Sequence, residues 1–96
     1  MPFVLTRINV EDYDAWRAKF ELDQPNTRSR AEGHRLFRGV EDRNEVYVMV
    51  EYASAELARA ARENLVGSGL LAEYPGHSEP AIIELAEQTA GTSSRA

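Results

Sequence analysis

Apolar and polar positions along the chain change period several times, and each change marks an element. "PFVLTRINV" (2–10) offers two alternating faces, Phe3, Leu5, Arg7 and Asn9 against Val4, Thr6, Ile8 and Val10, which predicts a strand. In "EDYDAWRAKFELD" (11–23) acids open the run and Tyr13, Trp16 and Phe20 recur at helical spacing, predicting a helix with one aromatic stripe. Pro25 ends or kinks it, and "NTRSRAEG" (26–33) is read as a short helical turn stopped at Gly33. "HRLFRGV" (34–40) and "EVYVMVEY" (45–52) are strands joined by the turn "EDRN". Ser54 caps a second helix, "AELARAAREN", with Leu57, Ala61 and Leu65 on its inner stripe. "LVGSGLLAEYPGHSE" is irregular, and "PAIIELAEQ" is a last strand whose Pro80 suits a sheet edge. The order βαββαβ predicts an α+β, ferredoxin-like plait, an antiparallel sheet with both helices on one face. The domain is expected over residues 1–88, with a flexible polar tail over 89–96.

The strand at 45–52 does not alternate: five apolar or aromatic residues run together from Val46 to Val50, so both of its faces call for cover. A three-residue loop, Asp42-Arg43-Asn44, would pair Arg35 with Glu51, Phe37 with Met49 and Gly39 with Tyr47. Leu36, Val40, Val46, Val48 and Val50 then share a face with His34, Arg38 and Tyr52, facing the helices. Phe37, Tyr47 and Met49 lie on the opposite face, for which the chain has no helix left. An apolar face of that size predicts an interface, and a second copy of the chain is the expected partner.

Composition narrows the classes. At 96 residues the chain makes one domain with one modest core. A net charge of −5 without a basic run excludes a nucleic-acid surface, and no stretch is apolar enough to suggest a membrane span. The absence of cysteine removes disulfides and thiolate chemistry and is compatible with the cytoplasm. No histidine spacing predicts a metal site, and "GSGLLA" lacks the strand-before, helix-after setting of a dinucleotide loop, so neither metal nor cofactor is expected.

"VEDYDAWRAKF", "RLFRGVEDRNEVYVMVEY" and "SAELARAARE", in that order, resemble the dimeric α+β barrel superfamily, in particular small antibiotic-biosynthesis-monooxygenase-like and cyclase-like bacterial proteins. The similarity spans roughly residues 3 to 87. It implies two sheets packed face to face and, in each subunit, a ligand pocket between helices and sheet. It also implies chemistry without a cofactor on a hydrophobic, aromatic, polyketide-like molecule, in which a pocket histidine or aspartate acts as acid or base.

Candidate residues carry two readings each. His34 is an acid/base group or a solvated strand end; His77 caps a pocket or sits on a surface loop. Arg38 steadies an oxyanion or pairs with Glu41 or Asp42, and Asn9 bonds a ligand oxygen or leads into the helix. Tyr13, Trp16 and Tyr52 are ligand-binding walls or core. Two functions stay open, a cofactor-independent monooxygenase or cyclase and a non-catalytic dimer that binds a small ligand or a partner.

Overall fold

A computed structural model describes residues 1–22 and 30–89. Four strands, β1 (Pro2–Asn9), β2 (Ala31–Arg38), β3 (Glu45–Tyr52) and β4 (Ala81–Glu84), form one antiparallel sheet in the order β2-β3-β1-β4. Two helices, α1 (Tyr13–Glu21) and α2 (Ala55–Gly67), follow β1 and β3, and a 3-10 turn (Leu70–Glu73) precedes β4. The ferredoxin-like α+β plait expected from the pattern is therefore the observed architecture, and Pro80 does introduce an edge strand.

Local chemistry sets the helix starts. The Asp14 N–H donates to Asp12 Oδ1 at 3.0 Å, and the Leu57 N–H donates to Ser54 Oγ at 3.2 Å, each satisfying a backbone donor that the first helical turn leaves free. Arg17 and Glu21 pair along α1 at 2.6 Å. Gly69 and Gly76, with φ of 77° and 84°, turn the chain on either side of the 3-10 segment.

Three expectations are corrected. Residues 31–33 continue β2 as strand, with a bulge between Ala31 and Gly33, so the helical turn read over 26–33 does not reach them; Pro25 lies outside the described residues. The β2–β3 register is shifted by two: Phe37 faces Tyr47, Arg35 faces Met49 and Gly33 faces Glu51. The loop is longer than three residues because Asp42 closes a turn of its own, its carbonyl accepting from Glu45 N–H and its Oδ1 from Asn44 N–H, while Gly39 N–H donates to the Glu45 carbonyl. A side chain at Gly39 would stand 2.5 Å from the Asp42 carbonyl oxygen, which ties the turn to glycine. Val40 belongs to that loop, 87% exposed, and not to the aliphatic face.

A shift of two preserves the parity of a strand, so the face assignments survive. Val4, Thr6 and Ile8 of β1 and Val46, Val50 and Tyr52 of β3 are buried on the helix side. Phe3, Leu5 and Ile83 share the open face with Phe37, Tyr47 and Met49; Phe37 is 48% exposed. Arg7 sits among them, bonded to the Gly76 carbonyl (3.0 Å) and paired with Glu45 (3.6 Å).

The two helices meet the sheet differently. Ala58 of α2 is fully buried against Val4, Val50 and Tyr52, and its small side chain lets the helix approach closely. No Cα atom of α1 comes within 8 Å of one in another described element; the helix reaches the core through Tyr13, Trp16 and Phe20. A close helix beside a stood-off helix leaves a wedge over the sheet.

Candidate functional site

That wedge is a cavity of about 370 Å³. Its floor is the helix-side face of the sheet: Val4, Thr6 and Ile8 from β1, Val48, Val50 and Tyr52 from β3. One wall is α1, with Trp16 and Phe20 inside and Lys19 towards the rim; the other is Ala61 and Leu65 of α2. Leu70, Leu71, Glu73 and Tyr74 roof it from the 3-10 turn and its exit. Size and lining match sites for small molecules, which commonly occupy about 300–1,000 Å³ and set a few polar groups in an apolar wall.

The aromatic wall is held by its own stacking. Trp16 lies 5.8 Å from Tyr13 and 5.1 Å from Phe20 between ring centroids, both tilted, and is buried. The roof is fixed to the sheet: Ser78 N–H donates to the Arg7 carbonyl, and Arg7 N–H donates back to Ser78 Oγ, each at 2.8 Å. The Tyr74 carbonyl accepts from the His77 N–H (3.1 Å) and lies 2.9 Å from His77 Nδ1, which donates when it carries the proton. Loss of water around the half-buried Tyr74 ring, then the Glu73 charge, raises its phenol above the ordinary tyrosine value of 10.0. It is a neutral hydrogen-bond donor at neutral pH.

Of the residues singled out from the sequence, Trp16 and Tyr52 line the cavity. Tyr13 stands one ring further along α1, with the Arg38 guanidinium 4.1 Å from its centroid. Arg38 Nε donates to the Arg43 carbonyl at 2.8 Å, so it is tied to the hairpin loop, and neither Glu41 nor Asp42 is its partner. His34 is exposed, outside the cavity lining, and meets the Phe20 ring edge-on at 5.1 Å. Asn9 points to the open face of the sheet, paired in register with Glu45. His77 braces the roof from outside the lining. The cavity thus brings together Trp16 and Tyr52 but not His34, Arg38 and Asn9.

Four polar groups of the lining, Thr6, Lys19, Glu73 and Tyr74, were not read as candidates. Thr6 is 5% exposed, the sole buried polar residue among those described. The signal for it was present: one hydroxyl in the stripe Val4-Thr6-Ile8. Tyr74 had none, since its segment follows no period. Among the described residues no group of three or more acidic, histidine or cysteine side chains could hold a metal ion, and no helix is long and apolar enough to cross a membrane.

Sheet order, helix placement and cavity define a ferredoxin-like α+β protein with its pocket between one sheet face and two helices. The same fold is found in solved structures of other proteins. One similar solved structure is a candidate antibiotic biosynthesis monooxygenase from Nitrosomonas europaea, with a TM-score of 0.60 and 12% identity over 91% of this chain and 100% of that one. A second is Rv0793 from Mycobacterium tuberculosis, with a TM-score of 0.55 and 17% identity over 96% of this chain and 100% of that one. No protein-family model matches the chain, and no curated protein matches it.

Proposed function

We propose that the protein takes a hydrophobic, planar aromatic molecule into the cavity over its sheet and oxidises it without an organic cofactor, in the cytoplasm and as a homodimer through the open sheet face. The observation that carries this reading is the cavity itself, walled by Trp16 and Phe20, floored mainly by aliphatic side chains and supplied with few polar groups. The shared fold with a candidate monooxygenase supports the choice of chemistry. For a methylene flanked by rings the balance is simple: one dioxygen converts CH₂ to C=O and leaves one water. The electrons come from the substrate carbanion. The protein's part is to exclude water, hold the rings flat and donate a hydrogen bond to the enolate oxygen. Tyr74 has the protonation state for that donor.

The second reading, a non-catalytic binder, is favoured by one observation: His34, the candidate acid/base group, lies outside the cavity lining. Two measurements separate them. Planar two- and three-ring phenols should quench the emission of Trp16, the one tryptophan of the chain. Ring compounds with an activated methylene should then consume oxygen in the presence of the protein. Quenching without oxygen uptake supports the binder, and no quenching across the panel removes both readings.

A further inference from the structure

We infer that a second copy of this chain docks on the open sheet face in one orientation, keyed by two reciprocal ion pairs, Arg35 of each copy with Glu51 of the other. The inference rests on the homodimer reading and adds the residues that fix its geometry. The open face carries charge at both ends, and the two ends differ. At one end Arg7 is paired with Glu45 inside the chain, at 3.6 Å. At the other end Arg35 of β2 is exposed and Glu51 of β3 is half-buried, one strand across and two residues along. Among the described residues, neither has an ion pair or a side-chain hydrogen bond. Opposite charges left over beside an apolar face suit a self-complementary surface, because a two-fold axis that brings one to the other makes the pair twice. The register says where that axis runs. With roughly 3.4 Å per residue and roughly 4.8 Å between strands, the line that exchanges Arg35 with Glu51 crosses the face over Met49 and Leu5, its apolar centre. The same rotation lays Phe37 over Phe3 of the second copy and Tyr47 near Ile83 of the second copy. One placement therefore matches the spare charges and the apolar side chains together.

The parent protein, Arg35→Glu and Glu51→Arg are compared by sedimentation equilibrium at low salt, each by itself and the two variants mixed in equal amounts. The parent should be dimeric, and each variant by itself should associate about tenfold more weakly or worse, since like charges then meet across the axis. The mixture should regain the parent's association as a heterodimer, visible by native mass spectrometry, because one chain now carries two acids at these positions and the other two bases. A pair formed inside one chain could not be rescued by mixing. Variants that associate as the parent does, or a mixture as weak as its components, overturn the inference and leave the dimer standing. A parent that sediments as a monomer overturns both. If either reversal unfolds its chain by circular dichroism, Arg35→Gln combined with Glu51→Gln takes its place. That variant should lose the salt dependence of the parent's association, and a salt dependence equal to the parent's overturns the inference.

Discussion

At the scale of single residues, the site is governed by which polar groups lie under apolar cover. Tyr74 gives this a measurable form. Its phenol is raised by loss of surrounding water first and by Glu73 second, so the folded chain holds that proton more tightly than the unfolded one. The contribution to stability is complete below 10.0, the ordinary value, and is lost as pH rises from there through the folded value. Alkaline thermal melts of the parent should fall more steeply above that point than those of Tyr74→Phe. Parallel curves would show that the ring is as well hydrated folded as unfolded. The residue scale is also where the sequence was least legible. Trp16 and Tyr52 could be found because aromatic spacing and strand parity report direction. The exclusion of His34 and Arg38 could not, because it depends on where the cavity ends, which is a matter of how far α1 stands from the sheet.

At the scale of elements, period and punctuation identified all four strands and both helices. β3 was read with its observed bounds, and the Ser54 cap was read as observed. Ser54→Ala should cost about 1 kcal/mol of stability by denaturant titration, since it removes the acceptor for Leu57 N–H without touching the core. Unchanged stability would mean that water replaces the cap at no cost. The β2–β3 register escaped the sequence because loop length was judged from pairing alone. The Asx turn at Asp42 absorbs residues that a minimal loop would have left in the strands. Parity protected the face assignment from that error, which is why the exposed Phe37 and the half-buried Tyr47 and Met49 were correctly grouped.

At the scale of the whole molecule, both described helices cover one sheet face, and no described helix covers the other. The proposed dimer would cover it, and "EVYVMVEY" would then have apolar neighbours on both sides. The aromatic and aliphatic side chains there surround Arg7, whose charge is already matched by Glu45. Burial of this face therefore leaves no unpaired charge at that point. Light scattering at micromolar protein should report twice the mass of the chain. Tyr47→Glu combined with Met49→Glu should give monomer or insoluble protein. A parent that scatters as a monomer would remove the dimer and leave the cavity reading untouched.

The sheet order carries a consequence for how the molecule is made. β1 is central: it lies between β3 and β4, so the first strand of the chain pairs with the last. The bonds between Arg7 and Ser78 extend that union beyond β4. During synthesis β1 emerges first and must wait for almost every other described residue before its second neighbour exists. Until then one edge of β1 lacks its neighbour, while the β2–β3 hairpin can close by itself. Topologies with such distant pairings fold more slowly than those built from near neighbours. The nascent chain is thus most open to wrong partners in the interval when β1 and β3 can already pair and β4 has not yet left the ribosome.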